Sequence, residues 1–215
     1  MIELYAVSGA PRPRRVMLAL MIKELDYNIR FLDFSKKEHL SDNYLSLNPR
    51  GRIPTLVDGD IVIHDSIAAM LWLDRAYPEK PLFGENTDEA ADQYLTSFDL
   101  ADFLRTATDH LIRPIFFGGD TRDLSKAAAD MRAELELINN KLEKTAFIGG
   151  NRPGAADCIA FPEINVLERA LQTAEEILKP YGFLTVFEDY PALKSWTKRM
   201  QAMPGYEKTY PPHWR

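Results

Sequence analysis

Hydrophobic and polar positions in residues 1–77 alternate in a way that predicts a β-α-β unit. Residues 2–7, IELYAV, are β-branched and aromatic and predict a buried strand, which the Gly- and Pro-containing segment 9–13 ends. The run RRVMLALMIKE is apolar on more than one face, as expected of a helix lying on a sheet, and Pro13 suits its first turn. Residues 27–34 then predict a second strand.

A hairpin and a third helix are predicted next. The apolar runs Thr55–Val57 and Ile61–Ile63 flank Asp58-Gly59, which favours a tight turn because glycine adopts positive φ at little cost. A helix beginning at residue 65 or 66 and running to about residue 77 follows. This order of elements is compatible with a mixed sheet covered by helices.

The remainder of the chain predicts helices only. Residues 77–88 contain Pro78, Pro81 and Gly84 without apolar periodicity, which is typical of an interdomain linker. Beyond them, apolar residues recur at spacings of three and four, as on one face of an amphipathic helix. These positions are Leu124, Ala128, Met131, Leu135, Ile138 and Leu142, and again Leu193, Trp196, Met200 and Met203. We therefore predict a first domain over 1–78, a linker over 79–88 and an all-helical domain over 89–215.

Composition and charge limit which classes of ligand the chain is expected to bind. The formal net charge of −6 gives no general attraction to nucleic acid or anionic lipid, so a small molecule is the better default partner. The run Val16–Ile22 is too short to span a bilayer, and we expect a cytoplasmic protein without a signal peptide. Cys158 is the only cysteine, which excludes an internal disulfide or a Cys-x-x-Cys centre, and the four histidines show no metal-ligand spacing.

Residues 48–74, NPRGRIPTLVDGDIVIHDSIAAMLWLD, resemble a family signature. They are similar to the Asn-Pro-x-Gly-x-Val/Ile-Pro-x-Leu and Glu/Asp-Ser-x-Ala-Ile motifs of glutathione transferases. RRVMLAL is similar to the serine-type phi and zeta classes, and FIGGNRPGAADCIAFPEI looks like the family's loop and buried helix. The resemblance, bacterial-like in type, covers nearly the whole chain. It implies an α/β plus all-α protein, with an N-terminal thioredoxin-like domain and a C-terminal helical bundle forming the acceptor-substrate pocket.

The resemblance implies how glutathione would be held. A cis bond between Ile53 and Pro54 would leave the Ile53 backbone to pair with the cysteinyl part of glutathione, whereas a trans proline merely ending a loop is the alternative. Ser66 would bind the γ-glutamyl carboxylate at a helix start and Asp65 would pair with the γ-glutamyl ammonium. Asp65 or Ser66 could equally be a helix cap, and the two roles are compatible.

Arg52 and His39 lie where the family often places polar groups near the glycine end of glutathione. Arg52 could meet the glycyl carboxylate with two hydrogen bonds. Either residue could instead be a solvated surface residue, His39 especially, since it stands in the charged run SKKEHLSD.

The residue that activates the thiol departs from the family pattern. Catalysis requires thiolate, and an ordinary cysteine thiol has a pKa near 8.5. Ala10 occupies the usual Ser or Cys position and has no side-chain donor. Ser8, two residues earlier in the same loop, is our candidate for donating a hydrogen bond to the sulfur.

Several alternatives to Ser8 remain open. Tyr5 resembles the tyrosine donor of other classes, and otherwise is an aromatic residue of the strand. The backbone N–H groups of Gly9 or Ala10, or the charge of Arg12 or Arg14, could also lower the thiol pKa.

The expected activity is transfer of glutathione, as thiolate, to a small hydrophobic electrophile by a homodimer. A glutathione-dependent isomerase or disulfide reductase is one alternative, although the Ser-Ser-Cys loop usual in zeta isomerases is absent. A non-catalytic glutathione-binding or interaction protein of the same fold is the other, and Ala10 supports it. We expect Asp157 to stabilise a helix start, and the aromatic tail of Tyr206, Tyr210 and Trp214 to close the acceptor pocket or cover the helical domain.

Overall fold

The computed structural model describes residues 1–214 and divides into two compact units. One comprises Met1–Phe83 together with the segment that begins at Pro204, and the other comprises Gly84–Met203. The helices and strands of the first unit are β1 (Ile2–Ala6), α1 (Pro11–Ile22), β2 (Tyr27–Phe31), α2 (Asp42–Leu47), β3 (Thr55–Asp58), β4 (Ile61–Ile63), α3 (Ser66–Ala76) and, near the end of the chain, α12 (Tyr206–Thr209). Within the described residues, no helix combines the length and hydropathy needed to cross a membrane.

The sheet of the first unit has four strands in the order β2-β1-β3-β4. β1 is parallel to β2, whereas the β1–β3 and β3–β4 pairs are antiparallel. Ile2, Leu4 and Ala6 alternate into the core, and α1 is buried along most of its length, as its all-round apolar sequence predicts. The mixed sheet covered by helices is confirmed.

The strand β2 is shorter than predicted. It ends at Phe31 rather than Phe34, because the Asp33 side chain forms a local turn. Its Oδ1 accepts hydrogen bonds from the backbone N–H of Ser35 at 2.9 Å and from the Ser35 hydroxyl at 2.6 Å. An aspartate that bonds two residues ahead competes with a strand ladder and stops it.

The segment that follows α3 is tied to the first unit by a buried lysine. Lys23 Nζ donates to Asp74 Oδ1 and to the backbone oxygen of Glu79, each at 3.1 Å. Asp74 in turn accepts from the backbone N–H of Leu82 at 2.6 Å. These bonds hold the Pro-rich segment after α3 in place. The segment has no regular secondary structure, in agreement with its lack of apolar periodicity.

The second unit contains helices joined by short turns. They are α4 (Thr87–Asp99), α5 (Arg105–Leu111), α6 (Arg113–Phe117), α7 (Ser125–Leu142), α8 (Ala155–Thr173), α9 (Glu175–Leu178), α10 (Val186–Asp189) and α11 (Pro191–Gln201). A π-helical turn, Leu100–Leu104, joins α4 to α5. The apolar positions predicted along α7 are all buried, and in α11 Leu193, Trp196 and Met200 are buried. Met203 lies beyond the end of that helix.

Asp157 anchors the start of α8, as predicted. Its carboxylate accepts from the backbone N–H of Ile148 and Gly154, both at 2.9 Å, and from Trp196 Nε1 at 2.7 Å. Because glycine lacks a side-chain acceptor, Gly154 contributes only its N–H to this arrangement. Burial raises the pKa of Asp157 to about 6, outweighing the N–H donors, which lower it.

This raised pKa predicts a pH-dependent contribution to stability. The folded protein holds the Asp157 proton more tightly than the unfolded chain, so the contribution is present below pH 4 and is lost as pH rises through about 6. Asp157→Asn does not titrate. Its destabilisation should therefore be about 1.4 kcal/mol larger at pH 5 than at pH 7.5. Denaturant unfolding at both pH values measures this, and an equal cost at both would contradict the raised pKa.

Candidate functional site

The strand registers bring the predicted glutathione-binding residues to one edge of the sheet. Tyr5 pairs with Thr55, so the loop after β1 and the residues before β3 leave the sheet at the same end. Leu56 pairs with Ile63, which places the end of β4, and hence Asp65 and Ser66, at that edge too. β2 is parallel to β1 and also ends there. Carboxyl ends of strands in open sheets are where such folds commonly bind ligands.

The Asn-Pro-x-Gly motif forms a turn that supports the loop before β3. Gly51 N–H donates to the Asn48 carbonyl at 2.9 Å, and Asn48 Oδ1 accepts from Arg50 N–H at 3.1 Å. Gly51 has φ +56, and a Cβ there would lie 2.9 Å from the His39 carbonyl oxygen. Only glycine meets both conditions without a shift. The motif therefore packs the His39 segment directly against the loop.

A buried hydrogen-bond network holds the next residues of this loop. Asn48 Nδ2 and the Tyr44 hydroxyl donate to the Arg52 carbonyl at 2.7 and 2.6 Å. Both also contact Thr55 Oγ1, at 3.1 and 2.8 Å respectively. The side chains of Tyr44, Asn48 and Thr55 thus position the backbone before β3, a role that sequence reasoning missed. The position of Asn48 within the motif was its only sequence signal.

Ile53 and Pro54 are joined by a cis peptide bond, as the resemblance implied. Neither the N–H nor the C=O of Ile53 hydrogen-bonds to any other residue of the described chain. Buried or partly buried backbone groups are seldom left unpaired, so these groups are available to an extended peptide. The side chain of Arg52 is exposed beside them.

Asp65 is the N-cap of α3. Its Oδ1 accepts from Ile67 N–H at 2.8 Å and from Ala68 N–H at 3.0 Å, while Ala69 N–H bonds to the Asp65 carbonyl. Ser66 is 2% exposed, and neither its N–H nor its hydroxyl bonds to another residue in 1–214. The N–H and hydroxyl groups of Ser66 are therefore the hydrogen-bond donors at the start of α3 that remain available to bind an anion.

His39 lies in a short 3-10 turn, Glu38–Leu40. Its ring stacks on Phe34 with centroids 3.8 Å apart, and its Nδ1 is buried without a hydrogen-bond partner. The ring is therefore packed against the protein rather than fully solvated, and its segment contacts the loop that carries Arg52 through Gly51.

Ser8 lies in a tight turn after β1. Ala10 N–H donates to the Val7 carbonyl at 3.2 Å, and Gly9 has φ +82, the value that a type II turn requires at its third residue. The Gly9 N–H has no partner among residues 1–214, whereas that of Ala10 is used by the turn. Ser8 Oγ lies 3.1 Å from His213 Nδ1. Sequence reasoning gave no signal for this contact across 205 positions.

The other residues considered for thiol activation are placed differently. The Tyr5 ring lies 5.5 Å from the Tyr44 ring, on the sheet face opposite the buried residues of β1. Burial and neighbouring Glu3 raise the pKa of Tyr5, which weakens its phenol as a donor to thiolate. Arg12 is exposed, and Arg14 is 1% exposed with its Nε donating to the Thr209 carbonyl at 3.1 Å.

Comparisons with known proteins agree with the fold and the motifs. Residues 1–75 match the family model described as "Glutathione S-transferase, N-terminal domain", and residues 102–204 match "Glutathione S-transferase, C-terminal domain". "Glutathione S-transferase 1" of Dianthus caryophyllus is 30% identical over 90% of this chain and 84% of that protein. "Glutathione S-transferase Z1" of Arabidopsis thaliana is 37% identical over 43% of this chain and 42% of that protein.

A solved structure extends the likeness to three dimensions. The crystal structure of a glutathione S-transferase from the Antarctic clam Laternula elliptica superposes with a TM-score of 0.82 at 30% identity. The superposition covers 99% of this chain and 93% of that one. The thioredoxin-like first domain and the all-helical second domain are thereby confirmed, and the chain belongs to the glutathione S-transferase family.

Proposed function

We propose that this chain is a glutathione transferase that binds glutathione at the sheet edge and transfers its thiolate sulfur to a small hydrophobic electrophile. The observation that carries the proposal is the convergence at that edge of the unpaired Ile53 backbone groups, the free donors of Ser66 and the Ser8 hydroxyl. An extended peptide with a carboxylate at one end and a thiol in the middle matches these groups.

Each part of glutathione has a proposed partner. Ile53 pairs with the cysteinyl backbone. Ser66 receives the γ-glutamyl carboxylate and Asp65, whose Oδ2 is not used by the cap, receives the ammonium. Arg52 and His39 serve the glycyl end. Ser8 donates to the sulfur, since a donor bonds more strongly to S⁻ than to SH and thereby lowers the thiol pKa.

Two measurements on the unmodified protein test this function. Calorimetry with glutathione should give one site per chain, and a panel of aryl halides, epoxides and enals should contain an acceptor that is conjugated faster than in buffer. Binding without conjugation across the panel would favour a non-catalytic glutathione-binding protein. Reduction of a glutathione mixed disulfide, or isomerisation without net conjugation, would favour the other activities.

We propose further that the protein is a cytoplasmic homodimer. The helix α4 carries three exposed apolar side chains, Tyr94, Leu95 and Phe98. Burying them against a second copy of the chain would remove apolar surface from water. Light scattering at micromolar concentration should give twice the 24.5 kDa chain mass. Phe98→Glu should shift the mass toward one chain, whereas Phe117→Glu, at an exposed residue of α6, should not. A wild-type mass of one chain would refute the dimer.

A further inference from the structure

The C-terminal segment of the chain packs onto the turn that carries Ser8. The helix α12 (Tyr206–Thr209) contacts α1, and Arg14 Nε donates to the Thr209 carbonyl at 3.1 Å. The Arg14 guanidinium also lies 5.4 Å from the centre of the Trp214 ring. These contacts of the aromatic tail are with the helix and loop of the first unit, to which the tail belongs, and its role in closing the acceptor pocket stays a prediction.

The ring of His213, an exposed residue, lies against the turn. A Cβ at Gly9 would lie 3.1 Å from His213 Cε1 and 3.3 Å from Trp214 Cζ2, so both rings sit directly on the Gly9 backbone. A 3-10 turn, Pro212–Trp214, with Trp214 N–H bonded to the Pro211 carbonyl at 3.0 Å, presents the imidazole. Ser8 Oγ and His213 Nδ1 are 3.1 Å apart, a hydrogen-bond distance.

This contact matters because a serine hydroxyl has one proton to donate. If Ser8 gives that proton to the imidazole, it cannot at the same time donate it to a sulfur. Ser8 can donate to both the imidazole and the sulfur in turn if the thiol supplies a second proton. Histidine suits the acceptor role, since the unprotonated nitrogen of a neutral imidazole accepts a hydrogen bond and can take up the proton.

We propose that His213 is a positioning residue that acts through Ser8 and receives the thiol proton of glutathione by relay. The S–H proton passes to Ser8 Oγ as the Ser8 hydroxyl proton passes to His213 Nδ1. The sulfur keeps the S–H electron pair and becomes thiolate, and the neutral imidazole becomes imidazolium. Ser8 then donates to S⁻ and accepts from Nδ1–H, so that two protons have each moved one step and the net result is transfer of one proton from sulfur to imidazole. The inference rests on the proposed function, because it requires glutathione sulfur at Ser8.

Several charged groups lie on the elements around this pair. His213 packs against the Ser8 turn and Trp214 of the tail, and the tail packs against α1. Their charged groups are Arg12, Arg14 and Arg15 in α1, and Glu207 and Lys208 in the tail, with Arg215 outside the described residues. Glu207 is an exposed residue of α12, and the hydrogen bond that Ser8 makes is to His213.

The test compares two variants at residue 213. His213→Asn places an amide near the position of Nδ1, so it keeps a hydrogen bond to Ser8 but cannot take up a proton. His213→Ala removes both the hydrogen bond to Ser8 and the capacity to take up a proton. Ultraviolet titration of thiolate in bound glutathione should show the thiol pKa raised by about one unit in both variants, and turnover at neutral pH reduced about tenfold. Glutathione affinity and the unfolding midpoint should stay unchanged.

A double variant separates the relay from a structural role. In the Ser8→Ala background, His213→Ala should cause no further loss of turnover, since the relay is already broken. An equal loss in both backgrounds, or wild-type behaviour of His213→Asn, would overturn the relay. If wild-type glutathione titrates like free thiol when bound, the proposed function fails and the relay with it. A lowered wild-type pKa that both His213 variants leave unchanged overturns the relay alone.

Discussion

Ser8→Ala is expected to lower glutathione transfer at neutral pH by about 10- to 100-fold while leaving glutathione affinity nearly intact. The hydrogen bond from Ser8 is stronger to S⁻ than to SH, so deleting it penalises the reactive form. Lowering a thiol pKa by about two units takes roughly 2.7 kcal/mol of preferential interaction, which one charge-assisted bond can largely supply. Losing it reduces the thiolate fraction at pH 7 by more than tenfold. The contacts through Ile53 and Ser66 do not depend on that bond.

Tyr5→Phe is the matched control, since it removes one hydroxyl and little volume. It should leave both turnover and the thiolate titration unchanged, in keeping with the position of Tyr5 against Tyr44. If Tyr5→Phe raises the thiol pKa and Ser8→Ala does not, the tyrosine is the donor. If neither variant shifts it, the free N–H of Gly9 or a nearby arginine charge holds the thiolate, and Ser8 is not catalytic.

Ser66→Ala should weaken glutathione binding by roughly 10- to 100-fold, measured by calorimetry. A hydrogen bond to a charged group contributes about 1.5–3 kcal/mol, and the Ser66 hydroxyl is one of the two unused donors at the start of α3. Ser195→Ala, which removes an exposed hydroxyl from α11 in the other unit, is the control and should leave affinity unchanged. An unaltered dissociation constant in Ser66→Ala would show that the carboxylate binds elsewhere.

Asp65→Asn separates the cap from the ligand role at the same helix start. Asparagine caps helices as well as aspartate does, so its side-chain oxygen can still accept from Ile67 and Ala68. It lacks the charge that would pair with the γ-glutamyl ammonium. We expect weaker glutathione binding with little change in unfolding midpoint.

The sequence was informative about the sheet and the long helices because their signals are local and periodic. The strand Ile61–Ile63 follows from the Asp58-Gly59 turn between two short runs, and the buried face of α7 follows from the helix period. The helix α2 was missed because Asp42–Leu47 is shorter than two turns and shows no period. The end of β2 depends on a side-chain turn at Asp33, which periodicity cannot report.

The parts of the site that a local motif specifies could be predicted from the sequence. Contacts between residues far apart in the sequence could not. Asn48, Pro49 and Gly51 specify a turn from neighbouring residues alone, so the motif located the loop. The contact between Ser8 and His213 joins the two ends of the chain and has no local sequence signal. It also gives Ser8 a partner, which is why Ala10 at the usual serine position does not by itself argue against catalysis.

A crystal structure with glutathione bound would show directly which groups of the protein hold each part of the ligand. In that structure the cysteinyl backbone should pair with the N–H and C=O of Ile53, the γ-glutamyl carboxylate should contact Ser66, and the sulfur should lie within hydrogen-bond distance of Ser8 Oγ. A sulfur directed at Tyr5, or glutathione bound away from this edge of the sheet, would contradict it.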